Sequence, residues 1–203
     1  MTGRMRLHPN RLVIAAVLVA AVAATGLHAQ NIGAEQRALS IRRALERLPS
    51  YGVFDFLAFS IERGTVTLVG YAYSGTLKSA AERAIKRVAG VDEVANQIEV
   101  LPLSANDNRI RSATFYRIYS DSFLSRYSSG GAREAIYEAI EFSRFPGRQP
   151  FGVYPIHIVV QGGRTTLLGY VDTAADRQLA EFRAREVGGV FAVENALVVA
   201  PTR

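Results

Sequence analysis

The chain has 203 residues and contains no cysteine, no tryptophan, two methionines and three histidines. The absence of cysteine excludes a disulfide framework, a thiol nucleophile and a lipid attached to an N-terminal cysteine. A zinc site needs three or four ligands, usually several His or Cys, so we predict no metal site. No tryptophan is available as a platform for stacking on a sugar, although tyrosines could serve, which ranks carbohydrate binding last among the functions considered.

The first 29 residues have a composition of their own. Three arginines and no acidic residue come first, and Leu12–Ala24 is then an uninterrupted run of apolar and small residues. Ala29 is a small residue that suits the position before a cleavage site. This pattern predicts a secretory signal peptide over residues 1–29, and the run is short for a membrane span of about 20 apolar residues. The alternative is an uncleaved anchor in the inner membrane.

Cleavage of the predicted signal peptide would change the histidine content and the net charge of the remaining chain. His8 and His28 would leave with the signal peptide, so that His157 would be the one histidine left. Three of the 24 basic residues would also leave, and 21 basic against 18 acidic residues give a net charge of +3. This charge favours anionic partners mildly and is too small to indicate nucleic-acid binding. We expect a periplasmic protein, soluble or peripheral to the outer membrane.

The sequence contains an internal repeat. Residues 64–102 align without a gap on residues 163–201, and 14 of the 39 aligned positions are identical. Upstream, residues 51–54 resemble residues 151–154 with a one-residue slip. Identities spread over the whole length of a segment indicate two copies of one structural unit.

Each copy has the pattern of an α-β-β-α-β unit. Apolar residues at helical spacing precede Pro49, and alternating apolar residues then predict a hairpin with its turn at Arg63-Gly64 or Gly162-Gly163. A second helix over Leu77–Val88 and a last strand over Val94–Val100 complete the unit. We predict an α+β fold, in which each unit is a small three-stranded mixed sheet with two helices on one face.

The second copy is longer than the first. Arg109–Leu124 and Ala132–Phe142 both have helical patterns, and a serine- and glycine-rich stretch separates them. We assign the earlier helix as the first helix of the unit and the later one as an insertion, although Pro146 could equally correspond to Pro49. The predicted organisation is a signal peptide over 1–29, a first domain over 33–102, a linker over 103–107, and a second domain over 108–201 with an insertion near 128–152.

The repeated motifs resemble those of the BON domain, a small module of bacterial envelope proteins. The resemblance rests on Gly64–Gly70 and Gly90–Val100 in the first copy, and on Gly163–Gly169 and Gly189–Val199 in the second. It implies the α-β-β-α-β fold in tandem, no catalytic activity, and a role in envelope integrity or osmotic stress tolerance with binding of phospholipid surfaces. The residues with a structural role in the motif are Gly64, Gly70, Gly90, Asn96, Gly163, Gly169, Gly189 and Asn195.

One stretch of the second copy suits a membrane interface. Residues 109–127 combine arginine, which attracts lipid phosphate, with tyrosine, whose ring sits at the apolar boundary of the headgroup region. The alternative is a core helix that packs its aromatic side chains on the sheet or on the other domain. The two interpretations are compatible if one face of the helix is packed and the other face is exposed. The residues that we predict to bind lipid or a partner are Arg109, Arg111, Tyr116, Arg117, Tyr119, Arg126 and Tyr127.

The remaining polar residues have ordinary structural explanations. The repeated glycines bracket strands and lack the spacing of a phosphate-binding loop, and each repeated asparagine is expected to bond to neighbouring backbone. His157 alternates with Ile156 and Ile158, which places it on the less buried face of the sheet. We therefore predict no catalytic residue and no cofactor. The acidic residues spaced like a solvated helix face are Glu134, Glu138 and Glu141.

Two functions of different class follow. In the first, the exported protein is a peripheral membrane protein that recognises anionic phospholipid. In the second, it is a soluble periplasmic module that binds a protein partner, such as an outer-membrane protein. Lipid binding driven by a few arginines weakens steeply with ionic strength, so its salt dependence distinguishes the two.

Overall fold

The computed structural model describes residues 33–146 and 149–200, so the predicted signal peptide lies outside the described residues. The described chain forms two units, each with a mixed sheet and with helices packed on it. The first unit comprises α1 (33–46), β1 (Phe56–Glu62), β2 (Thr65–Ala72), α2 (Gly75–Ile85), β3 (Glu93–Asn96) and β4 (Glu99–Val100). The second comprises α3 (Ala105–Tyr119), a short 3-10 helix (Leu124–Tyr127), α4 (Gly131–Arg144), β5 (Ile156–Gln161), β6 (Arg164–Val171), α5 (Ala174–Arg185) and β7 (Ala192–Val199).

Both predicted hairpins form around two-residue turns. The turn residues Arg63-Gly64 and Gly162-Gly163 all have positive φ angles, between 47° and 88°. Positive φ at both turn residues gives the twist that antiparallel neighbours need. The central strand, β2 or β6, then pairs in parallel with the strand that follows the second helix. The predicted α+β fold of two α-β-β-α-β units is confirmed.

The second helix of each unit begins at a capped residue. The Ser74 hydroxyl accepts a hydrogen bond from the first turn of α2, and Thr173 and Asp176 form a reciprocal capping box at the start of α5. Such caps satisfy backbone N–H groups that the helix itself leaves unpaired. Helix α2 ends at Ile85, so Gly90, with φ of 78°, lies in the turn before β3 and not at the helix end that its pattern indicates.

The repeated asparagines tie the last strand to the second helix in both units. Asn96 donates to a backbone carbonyl of α2 at 3.0 Å and to the Glu82 carboxylate at 3.2 Å. Asn195 donates to a backbone carbonyl of α5 at 2.8 Å and to Glu181 at 3.1 Å. The pairing explains why the glutamate also recurs in the repeat. The prediction that each asparagine bonds to neighbouring backbone is confirmed.

Helix α3 packs in the second unit as α1 packs in the first. The Arg37 guanidinium of α1 lies beside Gly90, and the Arg109 guanidinium of α3 lies beside Gly189, the repeat equivalent of Gly90. Arg109 also donates to the Gly188 carbonyl at 3.1 Å. The two helices share this contact, while the assignment of the earlier helix as the first helix of the unit and the domain limits stay predictions.

The buried side of α3 covers the free edge of β5. The Tyr119 hydroxyl donates to the Ile156 carbonyl at 2.6 Å, and Arg111 donates to the Val160 carbonyl. At the start of the helix, the Asp107 carboxylate accepts from both backbone N–H groups of the β5–β6 turn, each at 2.9 Å. An uncovered edge strand presents unpaired backbone groups, so α3 stabilises the sheet by pairing them.

The first unit contributes side chains to the core of the second. Phe54 is fully buried, with its ring centre 4.7 Å from that of Phe142 on α4 and 6.2 Å from that of Phe115 on α3. The neighbouring Val53 is also fully buried, and its carbonyl accepts from a backbone N–H of β5 at 2.8 Å. The cores of the two units are therefore joined through the loop before β1.

The loops before β1 and β5 pair with each other. Gly52 and Phe151 form an antiparallel bridge, and both belong to the segments 51–54 and 151–154 that resemble each other. The Gln149 side chain spans the same junction, since it accepts from the Phe54 N–H at 3.1 Å and donates to the Ser50 carbonyl at 3.2 Å. The duplicated loops therefore dock one unit on the other.

His157 lies buried at this junction, so its placement on a less buried sheet face is wrong. It is 6% exposed, because the first unit covers the outer face of β5. Its Nε2 lies 3.2 Å from the Tyr51 hydroxyl oxygen, and its ring centre lies 5.6 Å from that of Phe56. Burial disfavours the charged imidazolium and lowers the pKa of His157 to about 4.

Asp55 lies at the same junction, and its pKa is shifted upward, whereas that of His157 is shifted downward. Its buried carboxylate accepts hydrogen bonds from the backbone N–H groups of Gly52 and Tyr73 and from Gln149. Burial raises the pKa of Asp55 to about 6 in spite of these bonds. The stability that the raised carboxyl pKa contributes is lost as the pH rises through 6, whereas the contribution of His157 is lost as the pH falls from 6.5 towards 4.

We expect His157→Gln to remove the stability loss that protonation of the buried histidine causes in acid. The pKa of His157 is about 4 in the folded protein against an ordinary 6.5, so the folded state binds fewer protons than the unfolded state in this interval. Relative to wild type, the variant should gain about 3 kcal/mol of unfolding free energy between pH 7 and pH 4, measured by urea unfolding.

The matched control for this experiment is Tyr51→Phe, which removes the hydroxyl partner and keeps the titrating ring in place. It should show the same pH dependence as wild type. Parallel pH profiles for His157→Gln and wild type would contradict the assignment of the acid-side loss to His157.

We expect Gly169→Ala to destabilise the second unit by at least about 2 kcal/mol. Gly169 has φ of 116°, and an added Cβ would lie 2.1 Å from the Pro155 carbonyl oxygen, which is backbone and cannot rotate away. Gly188→Ala is the control, since no atom beyond its chain neighbours lies within 4 Å of its added Cβ. Chemical unfolding followed by circular dichroism measures the difference, and equal unfolding free energies would refute the strain argument.

We expect Phe54→Ala to destabilise the second unit although the residue belongs to the first. Truncation of a buried phenylalanine costs about 3–5 kcal/mol, and Phe54 packs on α3 and α4. Amide hydrogen exchange should accelerate in both helices. Phe191→Ala should leave the exchange unchanged, because Phe191 is 82% exposed. Acceleration confined to residues 33–102 would mean that the two cores are independent.

Candidate functional site

The seven residues predicted to bind lipid or a partner do not form one surface. Arg109, Tyr116 and Arg117 lie on the exposed side of α3, away from β5. Arg109 is tied by its hydrogen bond to the end of α5, which leaves Tyr116 and Arg117 as the free members of this group. The other four form two pairs with separate structural roles.

Arg111 and Tyr119 belong to the buried side of α3. Both are 0% exposed, and both donate to the edge of β5. The Arg111 guanidinium also lies 5.1 Å from the centre of the Tyr73 ring and donates to Asn108 at 2.6 Å. Burial lowers the pKa of Arg111 and raises the pKa of Tyr119. Buried side chains offer no surface to a ligand, so we exclude both from the candidate site.

Arg126 and Tyr127 hold the start of α5. The Tyr127 hydroxyl donates to the Asp176 carboxylate at 3.0 Å and accepts from the Asp172 N–H at 2.8 Å. Arg126 forms ion pairs with the same two aspartates. Burial raises the pKa of Asp176, but hydrogen bonds from Thr173 and from this pair outweigh it and lower the pKa, which keeps a charged carboxylate at the helix N-terminus. We therefore exclude Arg126 and Tyr127 as well.

The exposed side of α3 forms one wall of a groove, and α4 forms the other. The groove has a volume of ≈ 1040 Å³. On its floor the Ser112 and Ser143 hydroxyls lie 2.6 Å apart, and each lies within 3.0 Å of the Ala139 carbonyl oxygen. The residues that line the groove are Leu103, Ser104, Ala105, Asn108, Arg109, Ser112, Ala113, Tyr116, Arg117, Ala139, Ile140, Phe142, Ser143, Arg144 and Pro146.

The outer side of α4 continues the same surface. Ile136, Tyr137 and Ile140 lie on one side of the helix and are 37%, 60% and 46% exposed. Arg133 and Arg144 lie at the two ends of this apolar patch. From the sequence, α4 is predicted to be an insertion and the patch goes unrecognised, although arginines spaced around apolar residues are the signal that identifies it. We use the name α3–α4 surface for Tyr116, Arg117, Arg133, Ile136, Tyr137, Ile140 and Arg144.

The α3–α4 surface carries unpaired positive charge. Among the described residues, the guanidinium groups of Arg117 and Arg133 make no hydrogen bond and no ion pair. Arg144 lies 4.0 Å from Glu141, and 69% of its side chain is exposed. Glu138, expected on a solvated helix face, is half-buried and accepts from a buried tyrosine hydroxyl at 2.9 Å. Burial raises the pKa of Glu138.

The chemistry of the α3–α4 surface suits binding. Among residues 33–146 and 149–200, no group of three His, Cys, Asp or Glu is placed to hold a metal ion. In the same part of the chain, no helix has the length and apolar character needed to cross a membrane. What the surface offers is guanidinium groups beside exposed aliphatic and tyrosine side chains, a combination that binds an anion attached to an apolar body.

Comparison with curated proteins finds no match. Solved structures that resemble the chain include two of CdsD, a structural protein of the type III secretion system of Chlamydia trachomatis. The first is 14% identical, with 81% of this chain and 92% of that chain covered and a TM-score of 0.26. The second, its C-terminal domain, is 12% identical, with 80% and 96% covered and a TM-score of 0.24. Likeness at this level carries no argument about fold or function.

The family comparison covers most of the chain. The model of the BON domain matches residues 35–102 and 130–201. The second match begins next to α4 and leaves α3 outside, so the start of the second domain at residue 108 stays a prediction. The two matches contain the two hairpins, the two crossover helices and the two last strands described above. The chain therefore belongs to the BON domain family, with two copies of the domain in tandem.

Proposed function

We propose that the protein is a non-enzymatic envelope protein that binds anionic phospholipid membranes through the α3–α4 surface. The observation that carries the proposal is an exposed helical face on which isoleucine and tyrosine lie between arginines. Arginine attracts lipid phosphate, and tyrosine and isoleucine enter the boundary between headgroups and acyl chains. Clustered exposed apolar side chains on a folded protein mark a surface that meets a membrane or a partner.

Charge supports anionic over zwitterionic lipid as the target. Arg117, Arg133 and Arg144 border the α3–α4 surface, and a basic residue near an anionic membrane contributes about 1 kcal/mol. Glu134 and Glu141 lie on the same helix and reduce the net charge. The attraction therefore depends on a few arginines, and salt should screen it.

Packing supports a surface that is ordered before binding. Arg111 and Tyr119 fix the buried side of α3 to β5, and Phe142 fixes α4 against Phe54 of the first unit. Because both helices are held from beneath, binding has to order only exposed side chains. A smaller loss of conformational entropy leaves more of the contact energy as affinity.

Family membership and the predicted signal peptide support a location in the periplasm, peripheral to the outer membrane. In that location the proposed role is support of envelope integrity under osmotic stress. Outer-membrane proteins are a second class of partner, which the same exposed face could meet. The proposal includes no cofactor and no nucleic acid.

We expect residues 30–203, which include every described residue, to cosediment with phosphatidylglycerol vesicles and not with phosphatidylcholine vesicles. Arg117→Glu should weaken the binding at least tenfold, because the reversal changes two charges of about 1 kcal/mol each near the membrane. Raising the salt from 50 to 500 mM should release most of the bound protein, because a shorter screening length weakens the attraction of exposed arginines.

Arg87→Glu is the matched control for Arg117→Glu. It makes the same change of charge on an exposed arginine of the first unit, beyond α2, and should leave vesicle binding close to that of wild type. No cosedimentation under any condition would overturn the proposed function. Equal weakening by the two variants would show that net charge alone attracts the protein and that the α3–α4 surface has no special part.

A further inference from the structure

We propose that the groove between α3 and α4 accepts a single acyl chain of an anionic lipid, whose phosphate is held at the rim by Arg117 and Arg144. The inference rests on the proposed function and specifies the ligand of the same surface. It differs from contact with a flat membrane, because one lipid molecule would enter the protein while its headgroup stays at the surface.

The two serine hydroxyls on the floor are already paired. The Ser112 and Ser143 hydroxyls lie 2.6 Å from each other, and both lie within hydrogen-bonding distance of the Ala139 carbonyl oxygen. Burial of a polar group without a partner costs free energy. Because these groups are already paired, a hydrocarbon chain can cover them without leaving a hydrogen bond unmade.

Small side chains line both walls and leave the space between the helices unfilled. Ala105 and Ala113 of α3 face Ala139 and Ser143 of α4, and Ile140 and Phe142 add larger apolar surface. The resulting volume of ≈ 1040 Å³ lies at the upper end of the range of about 300–1,000 Å³ for small-molecule sites. A ligand with an apolar body therefore suits the space between the two helices.

The rim carries charge of one sign. Three arginines and no acidic residue line the groove. Arg109 is held by the Gly188 carbonyl and by Asn106, whereas the Arg117 guanidinium has no polar partner among the described residues. The nearest acid to Arg144 is Glu141 at 4.0 Å, which leaves most of its hydrogen-bonding capacity free. An anionic headgroup complements this rim better than a neutral or cationic one.

An anionic lipid is complementary both to the apolar interior of the groove and to its charged rim. A phosphate ion alone would use the rim arginines and leave the apolar walls in water. An apolar helix of a protein partner would use the walls and leave the arginines unpaired, unless it carried acidic residues at matching positions. An anionic amphiphile contacts both with one molecule, and the tyrosine ring of Tyr116 at the rim suits the boundary between its two parts.

The test uses dihexanoyl phosphatidylglycerol below its critical micelle concentration, so that no membrane is present. Chemical shifts of backbone amides in residues 30–203 report binding as the lipid is added. Shifts should concentrate in α3 and α4 and saturate. Ala113→Leu, which fills the groove, should weaken the binding at least tenfold, and Ala105→Leu, at an exposed position on the same wall, repeats the test without a buried substitution. Ala175→Leu, on the exposed start of α5, should bind like wild type.

Two further ligands distinguish the contribution of the rim arginines from that of the apolar walls. Inorganic phosphate should bind more weakly and without dependence on Ala113→Leu, and dihexanoyl phosphatidylcholine should bind more weakly than the anionic lipid. Unaltered binding of the anionic lipid by both groove-filled variants, or shifts spread over the whole surface, would overturn the proposal. A partner helix would be indicated if no short-chain lipid binds, and this too would overturn it.

The outcome is distinguishable from failure of the proposed function. Vesicle binding that is salt-sensitive in wild type and in Ala113→Leu, together with no binding of the short-chain lipid, would support the proposed membrane-binding function. The same result would refute the acyl-chain site in the groove. Binding of the short-chain lipid without vesicle binding would support the acyl-chain site and refute the proposed membrane-binding function.

Discussion

Helix α3 packs along the free edge of β5, and this contact decides which of its side chains can meet a ligand. Arg111 and Tyr119 lie on its buried side and pair with backbone carbonyls that a further strand would otherwise pair, and Asp107 accepts from the backbone N–H groups of the β5–β6 turn. These bonds fix the rotation of the helix about its axis, so Tyr116 and Arg117 face outward. Buried polar groups are stabilising only when they are paired, which makes any other rotation of α3 costly.

The two copies of the domain share an architecture and differ in what covers their loops. Val53 in the first loop is fully buried, whereas Val153 in the second loop is 64% exposed. The difference arises because α3 and α4 extend over the first loop and include Phe54 in their own core. The added helices therefore join the two units and, on their other side, form the α3–α4 surface. Stability and the candidate binding surface depend on the same pair of helices.

The α3–α4 surface combines exposed apolar side chains with a closely paired interior. The serine hydroxyls beneath it bond to each other, and among the described residues the guanidinium groups of Arg117 and Arg133 have no polar partner. Exposed isoleucine and tyrosine weaken neither helix, because the residues that stabilise the helices lie on the opposite side, against Phe54 and β5. A surface of this kind can lose water to a lipid without rearrangement of the fold.

The sequence by itself determined the local structure. The turn residues, the capping box at Thr173 and the paired Asn96 and Asn195 all follow from residues close in the chain or from a pattern that recurs in both copies. The tertiary structure alone decided which predicted site residues are exposed, because α3 has apolar residues around most of its circumference and no clear polar face. It also decided the burial of His157, because the side chain that pairs with its ring, Tyr51, lies more than one domain away in the sequence. Long-range packing of this kind leaves no periodicity in either segment from which it could be predicted.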